Sequence, residues 1–426
     1  MIRLYNGRVL AMAGGAELTG DEVWVSGSRI DYVGKARADA PKFERELDLR
    51  GDLLMPGFKN AHTHSAMTFL RSYADDLPLQ SWLFDKVFPL EARLTPEHVY
   101  TFTKLAIMEY LTSGITSAFD MYFHLDAFAQ AVRDCGFRSV LCCSLSAGNA
   151  DWRSAERDFA KFNALDPLLS YKLGFHAEYT ASDELLRYIS ELSHSLRAPV
   201  WAHNSETLSE VSDCRGRHGG KSPTEYFDSL GLFDFGGGGY HCVHLSDADL
   251  NIFAERGLCA VTCPASNAKL ASGIAPLGRL AAKGVPLAVG TDGAASNNAL
   301  DMFRELYLAC VLQKLAEGDA SACDAELILA AATSGGARAM GLSDCDCIAP
   351  GKQADLIVID LSRPNMRPLH NIPKNLVYAG SKENVRMTMI AGKILYQNGV
   401  FNIGEDPARI YAEAERMTKE IINHGA

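Results

Sequence analysis

Residues 53–72 read LLMPGFKNAHTHSAMTFLRS, an apolar run that ends in two histidines one residue apart. On a β-strand alternate side chains share a face, so His62 and His64 project together while Thr63 points away. That is a two-point grip on a metal ion. An isolated His-x-His is more often a pair of surface imidazoles in a turn, so the remaining ligands have to come from elsewhere in the chain.

The same texture recurs downstream. Further apolar runs, GITSAFDMY, FRSVLCCSL, SYKLGFHA, PVWAHNS, GGYHCVHL, LCAVTCPAS and VPLAVGTDG, alternate with segments of helical pattern. Thr95-Pro96, Asp126 with Gly136 behind it, Ser182, Ser222-Pro223 and Ser246 supply the punctuation of capped helices. With GFKNAH the strands number eight, and strands alternating with helices predict the α/β class and a closed (β/α)8 TIM barrel over residues 57–348. Outside it the texture changes to short strands with hairpin signals, Asn6-Gly7 and Gly27-Ser28 near one end and Gly392-Lys393 near the other. Residues 1–56 and 349–426 are expected to form one small β-sandwich domain from both chain ends, finished by a C-terminal helix that starts at Asp406-Pro407.

Composition narrows the function. The chain of 426 residues carries 41 basic and 52 acidic side chains, a net charge of -11, which offers no basic patch to nucleic acid or anionic lipid. No run approaches the roughly 20 apolar residues that span a bilayer, and MIRLYNGRVLAMAGG lacks the apolar stretch of a signal peptide. A cytoplasmic enzyme acting on a small molecule is expected, with neither nucleic-acid nor membrane partner. The 11 cysteines fall at irregular spacings, which favours reduced, mostly buried thiols. FGGGGY, residues 235–240, lacks the Lys-Ser/Thr of a phosphate-binding loop and reads as a lead-in to the sixth strand.

In barrels of this kind chemistry sits at the carboxyl ends of the strands. There the chain places His62 and His64 on the first strand, His176 on the fourth, and His203 followed by Glu206 on the fifth. His241 and His244 end the sixth, and Asp292 the eighth. Three neutral imidazoles and one carboxylate suit a catalytic divalent ion, Zn2+ first, with Fe2+ and Mn2+ compatible. His62, His64, His203 and Asp292 are the expected ligands. Asp292 can also take a proton from water at the ion, His241 can orient that water, and Glu206 can pass a proton to the substrate. These three are the candidate catalytic residues. His98 and His194 within helices, and His218, His370 and His424 in polar stretches, read as solvated or structural. His124 follows the second strand beside the rim. Ser266 and Asn267 either touch ligand or cap the next helix.

The motifs MPGFKNAHTHSAMTFLRS, DDLPLQSWLFDKVFPLEARLT, AHNSET, HCVHL, GTDGAASNN and GKQADLIVID resemble the amidohydrolase superfamily. Within it they resemble the deaminases of S-adenosylhomocysteine, 5'-methylthioadenosine and related adenosines, over nearly the whole chain. The resemblance implies hydrolytic removal of the 6-amino group of a purine nucleoside with one mononuclear metal, in an enzyme that is a homo-oligomer. It also implies that Trp82 packs on the purine, that Glu91 binds ribose hydroxyls, and that His176 and Ser296 contact the ring or its surroundings. Relatives that accept the homocysteine tail tend to carry an arginine at the end of the third strand, where this chain has Cys142, Cys143 and Ser144. Arg153, from the following loop, is the remaining candidate for a substrate carboxylate. That departure favours a neutral 5' group. A lysine bridging two metals is missing from GFHAEY, which disfavours two-metal amide hydrolysis. The alternatives are deamination of guanine or a pterin, dechlorination of a triazine on the same site, and a catalytically silent metal-binding barrel.

Overall fold

The computed structural model describes residues 1–148 and 152–423. His424 lies outside them. Eight strands, Phe58–Thr63, Ile115–Tyr122, Arg138–Cys143, Leu169–Gly174, Val200–Asn204, Gly237–His241, Cys259–Thr262 and Leu287–Val289, pair in sequence order, all parallel. The last meets the first where the Asp292 N–H donates to the His62 carbonyl at 3.0 Å. Gly290 makes that closure possible: a Cβ there would lie 2.7 Å from both the nitrogen and the carbonyl oxygen of His62. Phe119, Val140, Trp201, Tyr240 and Val261 fill the interior, and the helices bury a larger apolar shell outside.

Most expected caps are observed. Thr95, Ser182, Ser222 and Ser246 each accept a hydrogen bond from a backbone N–H in the first helical turn. The helix expected to open at Asp126 instead spans Leu125–Cys135, because His124 takes a left-handed conformation (φ 52°) and turns the chain early.

The two chain ends interleave. Leu53–Pro56 and Arg8–Leu10 pair with each other, and Leu53–Pro56 also pairs with Leu356–Ile359, in a seven-stranded sheet. Arg29–Gly34, Glu22–Ser26, Ile2–Tyr5 and Arg45–Asp48 make a second, four-stranded sheet. Leu4, Val23, Val25, Leu54, Leu356 and Met389 form the core between them, the sandwich expected from the hairpin signals. The closing helix, Pro407–Asn423, lays Ile410, Ala414, Met417 and Ile421 against Pro96–Thr112 of the barrel's outer ring. Among the described residues no helix is long and apolar enough to cross a membrane.

A buried ion pair joins barrel to sandwich. The Arg138 guanidinium donates to both carboxylate oxygens of Asp355, at 2.6 and 3.1 Å, and the Ala391 N–H adds a third bond at 2.8 Å. Burial raises the Asp355 carboxyl, but Arg138 and Lys59 outweigh it and hold it below the usual carboxylate range. Asp355→Ala strands Arg138 without its anion. Unfolding in urea is expected to show a loss of about 3–5 kcal/mol, and an unchanged midpoint would mean that the pair contributes nothing.

Candidate active site

The expected residues converge at the carboxyl ends of the strands. His62, His64, His203, His241 and Asp292 are all buried. The His64 Nδ1 donates to the Met121 carbonyl at 2.6 Å and the His203 Nδ1 to the His176 carbonyl at 2.7 Å, so each ring presents the lone pair of its Nε2. His62 has no hydrogen-bond partner on either ring nitrogen although it is wholly buried. Asp292 Oδ1 stands 3.3 Å from His64 Nε2 and 3.7 Å from His62 Nε2. Its Oδ2 accepts from the hydroxyls of Ser266 at 2.6 Å and Ser296 at 2.8 Å.

Donor atoms of His62, His64 and Asp292, and again of His62, His203 and His241, lie within 4.8 Å of one another. Burial drives His62 and His203 well below the usual histidine range and His64 below it. Neutral rings with inward lone pairs, an orphaned buried imidazole and an ionised carboxylate are the donor set of a divalent metal site. The cluster fits the ion that its sequence suggested.

Glu206 and His241 face each other beside this cluster, with 3.8 Å between Oε2 and Nε2. Burial raises the Glu206 carboxyl, against the pull of His241, so it holds its proton above the usual range. Burial lowers His241, yet Glu206 and Asp292 outweigh it and the net direction is upward. The Asn267 side-chain carbonyl accepts from His241 Nδ1 at 2.7 Å, and the Ser272 hydroxyl donates to Glu206 Oε1 at 3.3 Å. The turn carrying Glu206 is held by Glu210, whose carboxylate accepts from the N–H groups of Ser205, Glu206 and Thr207. Ser205, His241 and Asp292 all have positive φ, a cost that aims side chains into the site.

A pocket opens over the cluster. Trp82, Leu83, Phe88 and Glu91 form one wall, and Tyr122, Phe123, Ser144, His176 and Tyr179 another. Trp82 begins a π-helical turn, Trp82–Val87, a widened turn that is frequent at functional sites. Burial pushes the Glu91 carboxyl up to about 7 and the His176 imidazole down to about 3.

The family model for the amidohydrolase family matches residues 53–395. The chain belongs to the amidohydrolase family. A 5-methylthioadenosine/S-adenosylhomocysteine deaminase of Pelotomaculum thermopropionicum is 38% identical to it over 99% of both chains. A 5'-deoxyadenosine deaminase of Methanothermobacter thermautotrophicus is 39% identical over 84% of this chain and 86% of its own. Among solved structures, a zinc-bound adenosine deaminase from Xanthomonas campestris superposes with a TM-score of 0.93 at 37% identity, covering 99% of this chain and 98% of that one. The atrazine chlorohydrolase of Arthrobacter aurescens, at 20% identity and a TM-score of 0.90, shares the fold alone.

In this amidohydrolase two of the expected substrate contacts are placed differently. Ser296 is not among the described residues that line the pocket; its hydroxyl donates to Asp292 Oδ2 at 2.8 Å. Arg153 points away, paired with Glu184 at 2.6 Å and packed over Trp152 with its side chain 66% exposed. It is not among the described residues that line the pocket. His124 bonds the Leu94 carbonyl at 3.1 Å beside a separate cleft, and His244 bonds the Ser272 carbonyl at 2.6 Å. His98 caps its helix, while His194 and His218 pair with Asp234 and Glu178. Tyr122, Tyr179, Glu210 and Ser272 are polar residues of the site that sequence reasoning missed. Only Glu210 had a local signal, the capping box Thr207-x-x-Glu210.

Proposed function

We propose that this amidohydrolase hydrolyses the 6-amino group of adenosine-type nucleosides, with 5'-methylthioadenosine, 5'-deoxyadenosine and adenosine as substrates, giving the inosine-type product and ammonia. The observation that carries it is the buried His62, His64, His203 and Asp292 cluster with Glu206, its carboxyl raised by burial, beside it, in a chain 38–39% identical to deaminases of such nucleosides. These four residues would hold one divalent ion, zinc as in the Xanthomonas relative, and its chemistry is Lewis acidity that makes water nucleophilic near neutral pH.

The chain's own residues move the protons. Water adds to C6 of the purine from the side of Asp292, whose Oδ1 takes the first proton while Ser266 and Ser296 hold Oδ2 still. Glu206 protonates N1, so negative charge does not build up on the ring. His241, fixed by Asn267, orients the attacking oxygen. Collapse returns the proton of the new oxygen to Glu206, and Asp292 delivers its proton to the amine, which leaves as ammonia. Trp82 packs on the purine, Glu91 accepts from ribose hydroxyls, and His176 contacts the ring from the fourth strand.

Among the described residues the pocket wall includes no arginine or lysine, which supports a neutral 5' substituent. Ammonia release measured on adenosine, 5'-methylthioadenosine, 5'-deoxyadenosine, S-adenosylhomocysteine, guanine and a pterin tests the reading. Neutral nucleosides are expected to exceed S-adenosylhomocysteine in kcat/KM by about tenfold, the worth of one unmatched charged contact. Turnover confined to the free bases would overturn the nucleoside assignment.

A further inference from the structure

Glu91 and Tyr122 come from distant parts of the chain and meet in the pocket wall. Glu91 ends the helical run 79–91, whose last turn is Phe88–Glu91, and Tyr122 is the last residue of the second barrel strand. The Tyr122 hydroxyl donates to Glu91 Oε1 at 2.6 Å, and among the described residues it is the one group that hydrogen-bonds this carboxyl. Both side chains are buried, and the Tyr122 ring is stacked on Phe123 with centroids 4.3 Å apart. A carboxyl at a helix end, with one anchored oxygen, has its second oxygen left for ligand.

We propose that Tyr122 is a positioning residue that makes the pocket selective for vicinal sugar hydroxyls, by pinning Glu91 so that its Oε2 accepts from them. The inference rests on the nucleoside reading above, and it adds a residue with a defined task. A carboxylate turns about its last side-chain bond, and two hydroxyls reward only one of its orientations. The barrel strand holds Tyr122, and the bond from its hydroxyl fixes the orientation of the Glu91 carboxyl at the end of its helix. The anchoring bond also opposes the upward push of burial on Glu91, which keeps an accepting form available near neutral pH.

The experiment uses the metal-loaded enzyme and equilibrium binding of inosine and of 2',3'-dideoxyinosine, neither of which is deaminated further. Tyr122→Phe removes the hydroxyl and keeps the stacked ring. It is expected to weaken inosine binding about tenfold while changing dideoxyinosine binding less than about twofold, the range of one hydrogen bond to a charged acceptor. In a Glu91→Gln background the same change is expected to have no further effect. An equal loss for both ligands, or an undiminished effect of Tyr122→Phe beside Glu91→Gln, would overturn the inference. Wild-type enzyme that binds inosine no better than dideoxyinosine removes the ribose role of Glu91 and the inference with it, whereas ammonia release from adenosine separately judges the deaminase reading.

Discussion

Glu206→Gln is expected to leave one metal ion bound per chain and to lower kcat on 5'-methylthioadenosine by about 10^3-fold to 10^4-fold, the upper part of the range for loss of a general acid–base group. The amide keeps the shape of the side chain and the contact with Ser272, but it can neither deliver a proton to N1 nor take one back. The loss belongs in kcat more than in KM, since N1 is a proton acceptor only as C6 becomes tetrahedral. His241 is a secondary reporter. It owes part of its upward shift to Glu206, so the variant should also move the acidic limb of any residual pH profile. Metal analysis and single-turnover rates decide the matter: activity above about a tenth of wild type would remove Glu206 from the chemistry.

Removing the metal is expected to abolish turnover and to lower the melting temperature, with Zn2+ restoring both. An ion that binds only the folded chain at a thousandfold excess over its Kd stabilises it by about 4 kcal/mol. The metal-free chain should also respond to acid. Burial holds His62, His64 and His203 below the unfolded histidine value, so below about pH 6.5 the unfolded state binds more protons than the folded one. Stability is therefore full above that pH and falls as pH drops through it. Calorimetric scans at pH 7.5 and 5.5 read the difference, and a metal-free enzyme equally stable at both would contradict neutral buried imidazoles. His62→Ala removes the orphaned ring, and its metal content should fall below one equivalent at any zinc concentration that saturates wild type.

The metal cluster was legible because its signals are local. A strand's two-residue period puts His62 beside His64, and the rule that barrel chemistry sits at strand ends selects His203, His241 and Asp292 from twelve histidines and many carboxylates. Glu206 follows from its place three residues after His203. The pocket wall was less legible. Trp82, Glu91 and His176 line it, but Trp82 and Glu91 were named from motif resemblance and not from spacing, and His176, though placed by its strand end, took its ring contact from the same resemblance. Arg153 was the reverse case: a loop side chain that sequence could not aim, and that Glu184 holds outside.

Hydrophobic alternation, helix caps and hairpin turns are written in neighbouring residues, which is why the eight-stranded barrel and the additional sheets at its ends could be read from the chain before any side-chain partner was known. Which polar atom satisfies which is settled over long separations. Ser266 donates to Asp292 from 26 residues away, Asn267 bonds His241 from the helix after the next strand, and Tyr122 bonds Glu91 from a different element. The closing helix, too, was expected with the sandwich domain, and it packs on the barrel. Tertiary structure alone decided these pairings, because a buried polar group must find a partner and only packing determines which candidates are within 3 Å of it.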